Sequence, residues 1–160
     1  MGATAIQINL NYAAAAILRV RRHKLRILLM KVRILTGSQK GRVLWQLPGG
    51  GEEVTDQGNP LRTLGEELEE ETGLRLRENY KDPELIVTVE KTPEHLQRFY
   101  LIWWNGVRGE LRKQEIIDGN KLLGVPEWRT IDFAKKNLCD SHLGVVPRIT
   151  KIDLKHKEWI

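Results

Sequence analysis

The chain begins with two long apolar blocks. "AAAAILRV" (13–20) and "KLRILLMKVRIL" (24–35) are β-capable and separated by the polar "RRHK", which predicts two strands with a polar connection. "TGSQKGR" (36–42) then interrupts with turn residues, and "VLWQLP" (43–48) reads as a short extended approach to three glycines, Gly49, Gly50 and Gly51. The pattern next shifts to a helical period. Asn59 is placed to cap, Pro60 suits a first helical position and Gly73 supplies a stop, so a helix is predicted from about Pro60 to Thr72. At roughly 100° per residue, Leu61, Leu64 and Leu68 fall on one stripe able to pack on a sheet.

Beyond the helix, "ELIVTVE" (84–90) and "LQRFYLIWW" (96–104) read as a strand pair, the second apolar on both faces as a central strand requires. "RGELRKQEIIDGNK" (108–121) reads as a polar, partly ordered loop. "IDFAKKNL" (131–138) reads as a short amphipathic helix capped by Asp132, and the tail from Pro147 is ambiguous. Strands on both sides of a long helix, with a second helix later, imply a mixed α/β or α+β sandwich. At 160 residues with 41% hydrophobic content, one domain over 1–160 is expected.

Charge changes the picture. The net charge is +5, yet five glutamates crowd into residues 66–71, and removing Glu66, Glu67, Glu69, Glu70 and Glu71 leaves the remainder at +10. A basic remainder suits phosphate-bearing partners, nucleotide or nucleic acid, as well as a plain solvated surface. On the predicted helix Glu67, Glu70 and Glu71 stand at spacings of three and four, which makes them spatial neighbours that repel. A divalent cation removes that conflict. Oxygen donors without clustered Cys or His select magnesium, manganese or calcium over zinc. A solvated acidic face is the alternative, but the preceding glycine turn allows the backbone to approach closely at the same place.

These residues resemble the Nudix hydrolases, whose box reads G-x5-E-x7-R-E-U-x-E-E-x-G-U, with U a bulky aliphatic residue. Glu67, Leu68, Glu70, Glu71, Gly73 and Leu74 match its second half in register, and "WQLPGGG" looks like the usual entry. The resemblance implies a Nudix-like α/β/α sandwich around a mixed β-sheet, an α+β fold. It also implies a hydrolase that cleaves the diphosphate linkage of a nucleoside diphosphate derivative with Mg2+, or Mn2+, bound on the box helix. By that likeness Glu67, Glu70 and Glu71 are side-chain metal ligands, Gly49 is a backbone-carbonyl ligand, and Glu70 and Glu71 are catalytic. The water's proton goes to a helix glutamate or to a loop acid; among Glu115, Asp118 and Glu127, Glu115 is preferred.

Two departures stand out. The box is two residues longer than the family spacing, which puts an insertion in "EEVTDQGN" and leaves Glu53 and Asp56 both as candidates for the first box glutamate. Glu66 occupies the arginine position, with Arg62 at i,i+4 spacing to pair with it and Arg75 or Arg77 available to fold back. A catalytically degenerate Nudix-fold module that binds nucleotide, RNA or protein is therefore the alternative function.

Other residues are weighed individually. Arg42, Lys40 and Arg98 are able to reach substrate phosphates or to remain solvated surface. Trp45, Phe99, Tyr100, Trp103 and Trp104 offer stacking faces but lie in strand-like runs, where core packing is the ordinary role, and Trp45 is kept as a substrate-binding candidate. His95 reads as surface. A lone Cys139 and the absence of any roughly 20-residue apolar run predict a reducing, cytoplasmic setting without a membrane span. Charge following rather than preceding "AAAAIL" argues against a secretory signal, and Ile6 argues against lipidation at Gly2. A nucleotide-type small molecule is the expected partner, with RNA also compatible.

Overall fold

The computed structural model describes residues 11–52, 58–78 and 83–152. The two opening apolar blocks form β1 (Tyr12–Arg21) and β2 (Lys24–Ile34), an antiparallel hairpin closed by Arg22 and His23. Both turn residues have positive φ, 52° and 63°, the backbone twist that a two-residue hairpin turn demands. Next come β3 (Val43–Gln46) and β4 (Gly49–Gly51), then α1 (Pro60–Thr72) and β5 (Leu74–Leu76). β6 (Glu84–Thr92) and β7 (His95–Trp103) form the expected pair.

β1 is the organising strand. One of its edges pairs in parallel with β7 along Tyr12–Leu18, while the other is shared between β2, at Leu18–Arg21, and β4, at Tyr12–Ala14. The pairing of β1 with β2 ends at Leu18 and Ile27, and the chain through β3 and β4 enters the gap. It leaves β2 at Gln46, which faces Met30, and joins β1 at Gly49, which faces Ala14. The glycine turn thus sits where two strands diverge.

Alternation along β1 assigns two cores. Ala13, Ala15 and Ile17 lie in one cluster with Leu64 and Leu68 of α1, Leu28 and Ile102. Ala14, Ala16 and Leu18 lie in the other with Leu47, Phe99, Ala134 and Leu138. The second cluster is covered by α2 (Ile131–Asn137), a 3-10 segment over Asp140–Val145 and α3 (Val146–Ile149). Helices on both faces of a mixed sheet give the expected α/β/α sandwich.

Two local expectations change. The polar 108–121 segment is ordered into β8 (Val107–Gly109), β9 (Ile116–Asp118) and β10 (Lys121–Leu123). β9 and β10 pair around Gly119 and Asn120, and β10 continues onto β2. The cap of α2 is Thr130, whose hydroxyl accepts from the Phe133 N–H at 3.0 Å, and Asp132 occupies the first turn instead. The last strand among the described residues, β11 (Glu127–Thr130), pairs with β2 over Arg26–Leu29. No described helix is long and apolar enough to cross a membrane.

Candidate active site

α1 is built as its sequence dictates. Asn59 Oδ1 accepts from the N–H groups of Leu61 and Arg62 at 3.1 and 3.3 Å, Pro60 opens the helix, and Gly73 closes it at φ 84°. Leu64 and Leu68 are fully buried, and this fixes the rotation that turns Glu67 and Glu71 toward the glycine turn. Glu71 is only 4% exposed, and its Oε1 accepts from the Gly49 N–H at 2.7 Å.

Glu67 meets the next glycine. A Cβ on Gly50 would fall 2.3 Å from the Glu67 carboxylate carbon, so only glycine leaves room for that side chain. Gly49 is hemmed in differently, with its absent Cβ only 2.5 Å from the Ala13 carbonyl oxygen and the Ala14 side chain. Two carboxylates from successive turns of α1 therefore converge on two successive glycines.

The electrostatics follow from that crowding. Burial pushes the Glu71 carboxyl up to about 8, against the Gly49 hydrogen bond, and the charges of Glu67 and Asp118 add to the rise while Lys121 opposes it. Glu70, by contrast, is exposed. Among the described residues no three acidic, histidine or cysteine side chains gather into a complete metal cluster. The donors at hand nevertheless suit a hard cation at Glu67 and Glu71: both offer carboxylate oxygens, they lie against one turn, and the buried member is held in its uncharged form by burial, reinforced by the charge of its neighbour.

The C-terminal end of α1 is tied down by a residue that sequence reasoning missed. Arg112 donates through Nε to the Glu71 carbonyl at 2.8 Å and through its terminal nitrogens to the carbonyls of Gln114, Leu123 and Gly124. The helix has no basic residue in its own last turn, so a distant strand-flanking arginine supplies the cation for its negative end. Nothing in the local sequence marks Arg112 for this, because its partners are carbonyls scattered along the chain. Glu66, in the box arginine position, pairs with Arg62 at 3.3 Å, and Arg75 folds back on Glu69 at 2.6 Å.

A second missed residue supports the turn from the opposite face. His142 is buried, accepts from the Leu47 N–H through Nδ1 at 3.0 Å, and therefore presents Nε2–H to the Tyr12 hydroxyl at 3.3 Å. Burial lowers its pKa to about 4, which keeps the imidazole neutral and the extended approach to Gly49 pinned.

The remaining candidates separate by position. Arg98 pairs with Ala13, itself opposite Gly50, and so lies level with the glycine turn on the face that carries α1. Arg42 is exposed at the far end of β3, bonded to Gln39 at 2.9 Å, and Trp45 packs edge-on against Phe133 beneath α2. Neither is brought to the carboxylates. Of the loop acids, Asp118 acts on Glu71, Glu115 lines a separate cleft of about 190 Å³ with Lys31 and Arg33, and Glu127 pairs with Arg129 at 3.3 Å. Glu53 and Asp56 lie outside the described residues.

The family model for the NUDIX domain matches residues 10–149. The chain belongs to the Nudix family. Among solved structures, a MutT NUDIX hydrolase from Burkholderia pseudomallei aligns at 21% identity over 87% of this chain and 98% of that one, with a TM-score of 0.56. The NUDIX domain of Shewanella oneidensis NrtR, solved with ADP ribose, aligns at 18% identity over 94% and 92%, with a TM-score of 0.62. A MutT protein from Bacillus halodurans aligns at 20% identity over 89% and 83%, with a TM-score of 0.56. At these identities the neighbours establish the Nudix fold. No curated protein sequence matches the chain.

Proposed function

We propose that this Nudix protein hydrolyses the diphosphate linkage of a nucleoside diphosphate derivative with the aid of Mg2+ or Mn2+. The observation that carries the reading is the convergence of Glu67 and Glu71 on Gly50 and Gly49. A divalent cation would be held by these two carboxylates, with exposed Glu70 and the turn backbone as further oxygen donors, and would supply positive charge to the diphosphate and a lowered pKa to a water. Everything else falls to the chain's own side chains.

Glu71 gives up its proton as the site is loaded and thereafter bears the charge that holds the site together. Arg98 meets the substrate's phosphates from β7, level with the turn. Asp118, whose charge acts at Glu71, replaces Glu115 as the loop acid positioned to take the proton of the attacking water. The Gly49 N–H and Arg112 keep the helix in register with the turn while this happens. ADP ribose in the NrtR structure makes an ADP-linked sugar one natural member of the test panel.

The degenerate-binder reading retains two supporting observations: the three box carboxylates do not form a complete cluster among the described residues, and Glu66 stands where the box has arginine. A panel of dNTPs, nucleotide sugars, dinucleoside polyphosphates and 5′-triphosphorylated RNA, read as products with and without Mg2+, decides between the two. Mg2+-dependent products support the hydrolase. Nucleotide binding without turnover supports the binder.

A further inference from the structure

The β1–β2 hairpin carries a second concentration of charge, of opposite sign and far from the glycine turn. Arg19 lies six residues along β1 from Ala13, the partner of Gly50, which is about 20 Å at strand spacing. Its end of the hairpin reads RVRRHKLR from residue 19 to 26. Arg19 faces Arg26 directly across the ladder, and Arg21 faces Lys24. Like charges set opposite one another weaken a sheet, so packing alone does not account for this choice.

No anion among the described residues relieves the conflict. Among the described residues none of Arg19, Arg21, Arg22 and Arg26 takes part in an ion pair. Arg19 is held 4.2 Å over the ring of Trp128, and its Nε is buried without a hydrogen-bond partner. Trp128 is in turn braced edge-on by Trp104, with ring centroids 5.2 Å apart. These four arginines and Trp128 line an open depression of about 310 Å³. Burial, together with Arg21 and Arg26, pushes the Arg19 guanidinium below its ordinary range, the mark of a cation short of a counter-charge.

We propose that this hairpin is a binding site for the phosphodiester backbone of a nucleic acid, separate from the Nudix site. The cations form a row. The Arg19/Arg26 pair and the Arg21/Lys24 pair are stacked about 7 Å apart along the strands, so the site addresses a chain of phosphates and not a single one. The positive-φ turn at Arg22 and His23 fixes the display. A bilayer is the poorer occupant, because the exposed large apolar side chains among the described residues, Val43, Leu85 and Ile117, belong to other elements and leave this hairpin nothing to insert. With Trp128 already covered by Arg19 and Trp104, recognition runs through phosphates and is independent of base sequence.

The test is fluorescence anisotropy of a labelled single-stranded 12-mer RNA, and of a DNA duplex, with the full chain and with Arg21→Gln/Arg26→Gln. The wild type should bind with log K falling linearly in log salt. The double variant should weaken binding at least tenfold, flatten the salt slope, and melt at an equal or higher temperature because both like-charge pairs, Arg19/Arg26 and Arg21/Lys24, have been relieved. Arg22→Glu, at the hairpin tip, should weaken binding without altering either pair. Inorganic tripolyphosphate and phosphatidylserine vesicles are the competing arms. Affinity for both nucleic acids unchanged in the variants overturns the proposal. So does competition by tripolyphosphate or vesicles at the same phosphate concentration as unlabelled RNA, since either would assign the site to another anion. Mg2+-dependent turnover of a small nucleotide should persist in all variants, because no hairpin arginine belongs to the carboxylate site.

Discussion

The Gly49 N–H donates to Glu71 Oε1 at 2.7 Å, across 22 residues, and so joins the glycine turn to the last turn of the box helix. The same carboxyl is buried and held protonated to about pH 8. Its acidity therefore reports on the state of the whole site.

Stability of the metal-free protein should follow from two groups. Glu71 is raised in the fold from 4.5 to about 8, so its contribution is full below pH 4.5 and is lost as pH rises through 8. His142 is lowered from 6.5 to about 4, so its contribution is full above pH 6.5 and is lost as pH falls through 4. Between 4.5 and 6.5 the two slopes oppose and stability should be nearly flat, while from 6.5 to 8 it should fall. The fall is bounded by about 2 kcal/mol, at 1.36 kcal/mol per pH unit over that window. Urea melts in EDTA at half-unit pH steps check this, and Glu71→Gln should remove the decline above pH 6.5.

The two glycines should respond differently to alanine. Gly50→Ala drives a methyl into the Glu67 carboxylate, a flexible side chain that can swing away, so Mg2+ affinity should weaken about tenfold with little change in melting temperature. Gly49→Ala drives it into backbone at Ala13 and should cost about 1–3 kcal/mol of stability. Metal titration and thermal melts of both variants separate the effects.

Glu66 is half of a pair and not an isolated defect, since Arg62 meets it at 3.3 Å with both side chains substantially exposed. Glu66→Arg should set two arginines at i,i+4 and lower stability by about 0.5 kcal/mol. Arg62→Glu/Glu66→Arg should recover it. Melting temperatures of the single and double variants provide the check.

Arg112→Leu should be more damaging than any exchange on the exposed face of α1. It leaves the carbonyls of Glu71, Leu123 and Gly124 without their charged donor and removes the cation from the helix end, a loss of about 2–3 kcal/mol. Arg112→Lys should restore only part, because a point charge cannot reproduce the fork. Denaturant midpoints of the two variants measure the difference.

What the sequence made legible was local. Asn59, Pro60 and Gly73 fix the ends of α1 within its own few residues, and the spacing of Leu64 and Leu68 sets which glutamates face the sheet. The β9–β10 hairpin also had a local signal, "IIDGNKLL", with turn residues between two apolar pairs, but it was masked by the polar residues around it. Arg112 and His142 had none. The bond from Arg112 to the Glu71 carbonyl spans 41 residues and that from the Leu47 N–H to His142 spans 95, and in each the partner is a backbone group that any residue would provide. The separation of Trp45 and Arg42 from the carboxylates was equally hidden, because it depends on the switch of the β3–β4 chain from β2 to β1.

The most direct test of the carboxylate–glycine site is product analysis on the nucleotide panel, with Mg2+ titrated from zero, for the wild type, Glu67→Gln and Glu71→Gln. The wild type should release products of diphosphate cleavage from at least one substrate only when Mg2+ or Mn2+ is present. Each variant should lose about 100-fold in kcat/KM and bind metal more weakly. Turnover that needs no metal, or variants that match the wild type in both turnover and metal titration, would contradict the assignment of Glu67 and Glu71.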